Sequence, residues 1–445
     1  MDAETTGRSV CTIVLLALLA APAAAADAYE DAPGSSVLTI PVFGPLPWVW
    51  PIDVDANRVV WVEDEGSHVG NSSVRVCTLT TGEERTVAES LQETAYCSGR
   101  RAVTPGVSGD LVVWTENLGA AVHVFDLASG GERILLRGEV FRGRSITQND
   151  GSQRTVWEAV AYEGPVYLSG PEDMQGWDTI HGDVFFDFPA VDGDRIVWVE
   201  GNGADRGSSD IYLYNLTSEE LVPVCTAPGE QTRPKISGDR VVWQDMRSGN
   251  WDIYSYDLTT GEERAVCTDP ARQIHPDIDG DDIVWQDRRN AYLGRDWDNS
   301  DDIYHFDLAA GTERPLATGR EEQHDPAVAG GRVVWVESVR WKDDPLHEGN
   351  RLLVYDLVTG STRCIPAEGG TVMDPVISGS HVAFCVIRDT GESWSVSVFA
   401  LDEERPNRTL AAPAATAEPV PTAAPGYAAL SAIAALAAHA CRRRQ

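Results

Sequence analysis

The stretch PKISGDRVVWQDMRSGNWDIYSYDLTTGEERAVCT, residues 234–268, reads as four short strands. Pro234 to Ser237 forms the first, closed by a Gly238-Asp239 turn. The second, Arg240 to Asp245, is β-branched and aromatic, a composition suited to a buried pleated surface. After a polar loop, Asp252 to Leu258 gives the third strand. A Thr259-Thr260-Gly261 turn then leads into Glu262 to Cys267. Gly261 supplies the positive φ that such a hairpin needs.

The same pattern recurs from about residue 51 to residue 410. Its aromatic anchor returns as Trp61, Trp114, Trp198, Trp243, Trp285 and Trp335, with Phe384 in the last unit and a weaker unit around Trp157. Neighbouring anchors lie 41 to 53 residues apart. Four strands at such a period are the mark of a β-propeller blade: one blade cannot bury both faces, and stacking blades in a ring does. The expected fold is therefore all-β, a propeller of four-stranded blades. Counting anchors gives eight units, at about 51–104, 105–140, 141–188, 189–233, 234–275, 276–325, 326–374 and 375–410. Eight blades are preferred. The unit at 141–188 has Val166-Tyr167-Leu168 where the others have D-I-Y-x-Y-D-L, and the ring has seven blades if that unit is an insertion.

The pattern P-x-[IV]-S-G-D-x-[IV]-V-W-x-D, followed by N-W-D-I-Y-x-Y-D-L-T-T-G-E-E-R, resembles the TolB-like (PD40-type) propeller repeat. The resemblance is to the form that recurs in archaeal cell-surface proteins, and it covers residues 51–410. These units read Ser-Gly-Asp or Asp-Gly-Asp where the family turn usually reads Ser-Pro-Asp-Gly. The resemblance implies a fold and says little of activity, because propellers host unrelated functions.

The chain has 445 residues and a formal charge of −34, with Lys235 and Lys342 its only lysines. No nucleic-acid partner is expected, because phosphate contacts need Lys and Arg clusters. Such a surface suits either a salty exterior, where screening tames self-repulsion, or simply a GC-rich genome. Residues 1–26 read as a signal peptide, with Arg8 before an apolar run and then small residues. Residues 27–50 form a linker or a closing strand, since a terminal strand at Val37 to Ile40 could complete the last blade. Residues 411–424 are a Pro/Ala/Thr-rich stalk. Residues 425–445 join Pro425-Gly426-Tyr427, an apolar run and Arg442 to Arg444. That layout resembles the PGF-CTERM sorting signal, with Tyr427 in place of Phe. It implies an archaeosortase-like processing enzyme, or a membrane anchor through the tail or a lipid. Export to the outer face of the cell membrane is the expected location.

No G-x-S-x-G, H-E-x-x-H or Walker sequence occurs. A polar set does recur just before the Pro that opens each blade. From it, Asp187, Arg233, His275, His324, Asp325 and Asp374 are expected to converge at the channel rim, the default place for a ligand. His275, His324 and Asp325 could hold a divalent cation; no other cofactor is expected. The alternative is that these residues cap the channel mouth and bond one another. Two acidic stretches, Asp277 to Asp282 and Arg295 to Asp302, invite a calcium reading, although turn chemistry explains the first better. Cys77 and Cys97 are the one nameable disulfide pair. Asn71, Asn215 and Asn407 stand in glycosylation sequons. The functional expectation is a surface-tethered, non-enzymatic module that binds a cell-envelope protein or glycan. A channel-centred metal-assisted lyase or hydrolase and a structural envelope component are the alternatives.

Overall fold

The computed structural model describes residues 31–42, 52–64, 70–93, 104–115, 121–137, 140–147, 153–160, 179–182, 184–202, 208–290, 301–319, 321–340, 348–367, 370–387 and 394–401. They form seven four-stranded antiparallel sheets and one three-stranded sheet. Blades 1 to 6 each run outward from their first strand, and these first strands are Ile52–Asp55, Gly106–Ser108, Val184–Asp192, Gln231–Ser237, Gln273–Asp279 and Glu322–Ala329. Blade 7 takes Thr371–Ser378, His381–Ile387 and Trp394–Leu401 from the end of the propeller, and Gly34–Val42 from its start. Ile40 faces Val396 in that pairing, so a strand from the beginning of the chain closes the ring and covers an edge that would otherwise be bare.

The ring has seven blades, and the preferred count of eight gives way to its alternative. Val140–Thr147, Gln153–Val160 and Thr179–Gly182 form the three-stranded sheet. Blades 2 and 3 pack directly on each other without it, through Val113, Val122 and Val124 against Phe186, Ile196 and Trp198. Trp157 thus belongs to an insertion that lies between two blades in sequence.

The other anchors behave as the repeat demands. Trp61, Trp114, Trp198, Trp243, Trp285 and Trp335 are all at most 2% exposed, and Phe384 takes the equivalent place at 3%. Each packs between neighbouring sheets, as Trp285 does against Val242 and Ile253 of blade 4. Two indoles are also tied down: Trp243 Nε1 donates to Asp245 Oδ2 and Trp285 Nε1 to Asp287 Oδ2, both at 2.9 Å.

A second repeat links the blades by hydrogen bonds. The residue before each first turn accepts an amide proton from the next blade: Ser108 from Gly193, Ser237 from Gly280, Asp192 from Gly238, Asp279 from Gly330, and Asp55 from Gly109. Ser378 of blade 7 accepts from Ala56 N of blade 1, so the girdle passes through the closure. Only Ala329, between blades 6 and 7, has no side-chain oxygen at this position.

Candidate functional site at the channel mouth

In blades 3 to 7 the innermost strand is interrupted at one place, a bulge at an X-Pro step. The residue before Pro has positive φ each time: Phe188 (47°), Arg233 (54°), His275 (53°), Asp325 (52°) and Asp374 (45°). Left-handed backbone is uncommon for these residue types, and α-like conformations before proline are crowded, so the ring holds strain at five matching points. A bulge re-aims its side chain, here into the centre of the ring. The exposed amide is satisfied from the neighbouring blade: His275 N donates to Gln244 Oε1 at 3.0 Å and Asp325 N to Gln286 Oε1 at 3.1 Å.

The predicted rim residues are thereby brought together. Asp325 Oδ1 accepts from His275 Nδ1 at 2.9 Å and its Oδ2 from His324 Nδ1 at 2.7 Å. Burial alone would raise the Asp325 carboxyl, but the two histidine bonds outweigh it and hold it well below the usual carboxylate range. Burial and the nearby Arg233 push His275 down, against the pull of Asp325. His324 is raised: burial works against its charge, and the Asp325 bond prevails. His275 therefore stands neutral, with Nε2 as a bare acceptor, while His324 favours the imidazolium. Arg233 stacks on Phe188, 4.9 Å from the ring centre. Burial lowers its pKa, offset by Asp325, Asp374 and Asp187. Asp187 is 7% exposed and accepts from Phe188 N at 2.9 Å.

His324 Nε2 also lies 3.0 Å from Ser338 Oγ, which completes a Ser-His-Asp relay with the spacing of a nucleophilic triad. The protons decide otherwise. Asn350 Nδ2 donates to Val372 O at 3.1 Å, which turns its Oδ1 toward Ser338 Oγ, also at 3.1 Å. Ser338 has one proton and spends it on Asn350, so it accepts from His324 Nε2–H. The relay locks an imidazolium in place.

At His275, His324 and Asp325, the residues named for a cation, the protein's own bonds take up most of the ligating atoms. Both Asp325 oxygens and both His324 nitrogens are committed to protein, and Arg233 lies close by. Among the described residues no group of three or more His, Cys, Asp or Glu is arranged to hold a metal ion. The first acidic stretch disperses as well, and residues 295–300 of the second lie outside the described residues. Asp277 caps Val328 N, Asp279 caps Gly330 N, and Asp282 accepts from His305 Nε2.

Sequence reasoning missed the outer half of the site. A cavity of about 440 Å³ is lined by His275, His324, Asp325, Arg272, Arg288, Asp301, Gln286, Ile274 and Glu322. Asp301, from one of the two acidic stretches, is 3% exposed and spends its oxygens on Arg288 Nε (2.7 Å), Gln286 Nε2 (3.1 Å) and Arg272 Nη2 (3.4 Å). Arg272 sits just ahead of the Gln-Ile-His-Pro step, and that adjacency was the one available signal.

Deeper in the ring, two residues past the bulge, Lys235 of blade 4 stands near Asp53 of blade 1 and Asp277 of blade 5. Burial lifts the Asp53 carboxyl to about 6, restrained by Lys235 and by the Val107 and Val54 amides. Burial raises Asp277 for the same reason.

Other expected sites fall elsewhere. Cys77 is a fully buried free thiol, and Cys97 lies outside the described residues. Asn215 Oδ1 accepts from the amides of Thr217 and Ser218. Asn407, Pro425, Gly426 and Tyr427 lie outside the described residues, as does the side chain of Asn71.

Fold and mouth together define a seven-bladed propeller with a polar, charge-balanced end. No family model matches the chain, and no curated protein matches it. Solved structures do. A puromycin hydrolase S511A mutant complexed with PGG is similar at TM-score 0.51 and 12% identity, over 81% of this chain and 53% of that one. The propeller domain of the Trilobed protease from Pyrococcus furiosus is similar at TM-score 0.49 and 12% identity, over 79% of this chain and 94% of that one. TolB from Acinetobacter baumannii is similar at TM-score 0.40 and 14% identity, over 72% of this chain and 66% of that one. The chain thus spans about half the length of the puromycin hydrolase. At these identities the likeness shows the fold alone.

The comparisons correct the functional expectation. Puromycin hydrolases are among the structures with a similar propeller, at TM-scores of 0.51 and 0.50. The ring therefore does not argue for a non-enzymatic envelope module.

Proposed function

We propose that this chain is a peptide-handling propeller whose channel mouth recognises the charged end of a peptide-like ligand. The observation that carries the reading is Arg233. Its guanidinium is stacked on Phe188 beside the bare Nε2 of His275, and it makes no hydrogen bond within the described residues. The half-buried fork presents five donors that no described acceptor takes, and a ligand can supply the acceptors. A peptide end brings both donors and acceptors, which suits a mouth where Arg233, Arg272 and Arg288 alternate with Glu322, Asp325 and Asp374.

The test is calorimetric titration of the full chain with short peptides. Binding of di- or tripeptides that weakens about tenfold or more in Arg233→Met is expected from the loss of charge-assisted bonds. Equal affinity in the variant, or no binding to the wild type, would reject the reading.

We further propose that the protein works outside the cytoplasm, reached through residues 1–26, with residues 425–445 as a processing or anchoring segment. Mass spectrometry of both termini of the mature protein tests this, and intact ends would refute it.

A further inference from the structure

Asp301 is a nearly buried carboxylate that holds two arginines from one side. Arg288 gives it Nε, and Arg272 reaches it through one Nη2 contact of 3.4 Å. Neither Nη of Arg288 has a hydrogen-bond partner among the described residues, nor does Arg272 Nη1. Arg272 Nε is buried and unpaired as well. Both side chains are partly exposed, at 29% and 38%, and both line the 440 Å³ cavity. Two guanidiniums against one carboxylate leave a net positive, pre-aligned set of planar donors at the outer lip. An isolated surface arginine would have to give up rotamer freedom on binding, and these two are already pinned.

We propose that the Arg272–Arg288 pair is the docking fork for a ligand carboxylate, so that the mouth takes the C-terminal end of a peptide and Asp301 positions the fork. This deepens the reading above and rests on it for the word peptide. Asp325 does not compete for the fork, because both its oxygens are taken by His275 and His324. A carboxylate is the ligand group that matches two parallel N–H donors in one plane. The bare His275 Nε2 lies on the same cavity wall, where it can accept an N–H of the ligand backbone.

The experiment titrates the full chain with three probes: Ala-Ala-Ala as the free acid, the same peptide as its C-terminal amide, and propionate. The expected result is that the amide binds about tenfold or more weakly than the acid, as loss of a bidentate charged contact implies. In Arg288→Gln the two peptides should bind alike. Arg288→Lys, which keeps the charge and loses the fork, should recover only part of the preference. Equal binding of acid and amide to the wild type overturns the proposal without any variant, so a poorly folded variant cannot rescue it. Retention of the preference in Arg288→Gln also overturns it. If neither peptide binds but propionate does, with dependence on Arg288, the fork stands and the peptide reading falls. If no probe binds, both fall.

Discussion

His275 donates from Nδ1 to Asp325 Oδ1 across 2.9 Å, and that bond joins blade 5 to blade 6 at the strained bulge of each. The same carboxylate accepts from His324, so one acid fixes the protonation of two bases whose pKa values move in opposite directions.

Asp325→Asn tests that arrangement. Without the carboxylate, burial is left as the largest influence on both rings, with Arg233 adding to it at His275, and the His324 midpoint should fall. The His275 midpoint, already low, should fall further. Imidazole proton shifts in an NMR titration read both. The loss of two charged hydrogen bonds should cost roughly 1–3 kcal/mol in denaturant unfolding, allowing for partial solvent access.

The pH dependence has a definite sign. His324 has a raised folded pKa, so its contribution is fully present below about pH 6.5 and is lost as pH rises through the raised value. Asp325 has a depressed folded pKa, so its contribution is present above about pH 4 and is lost as pH falls through the lowered value. His275 is depressed and opposes folding as pH falls below about 6.5. In Asp325→Asn, melting curves across pH should lose the His324 component and keep the acid-side loss from His275.

Lys235→Met addresses the interior of the ring. Lys235 restrains the Asp53 carboxyl at about 6, so its removal should drive that pKa higher. Stability at neutral pH should then drop and return on acidification, because the protonated acid needs no counter-ion. Carboxyl carbon shifts against pH follow the group directly, and an unmoved Asp53 would show that the lysine is not its partner.

The indoles divide into two kinds. Trp285 Nε1 is bonded to the buried Asp287, whereas Trp61 Nε1 is buried without a partner. Trp285→Phe should therefore cost about 1–2 kcal/mol more than Trp61→Phe, the worth of one bond to a charged group. Paired chemical denaturation curves give the difference, and equal costs would mean that packing alone sets the anchor's value.

Ala329→Ser repairs the one gap in the girdle. A hydroxyl there can accept the Gly379 amide as Ser237 accepts that of Gly280. A gain of about 0.5–1.5 kcal/mol is expected in the same assay. Destabilisation would show that the seam between blades 6 and 7 is spaced differently from the rest.

The repeat was legible because blade packing is a local, periodic demand. Trp243 and its counterparts are where a β-branched, aromatic second strand must bury itself, and each unit states this independently. The X-Pro step exposed half of the site for the same reason: Arg233, His275, Asp325 and Asp374 occupy one register position in successive blades. Arg272, Arg288 and Asp301 stand where blade 4 has Glu230, Met246 and Trp251, so the repeat marks their positions while their residue types are peculiar to one blade.

Composition and spacing, then, determined by themselves that the chain is a ring of Trp-anchored sheets with chemistry at the opening prolines, because hydrophobic burial acts over a few residues of known period. Only the tertiary structure decided that seven sheets close the ring and that Val140–Thr147, Gln153–Val160 and Thr179–Gly182 form a separate three-stranded sheet. It alone also decided that Ser338, His324 and Asp325 form a locked imidazolium rather than a nucleophile. Ring closure depends on how neighbouring faces fit, and a proton's position depends on every acceptor within reach; distance along the chain encodes neither.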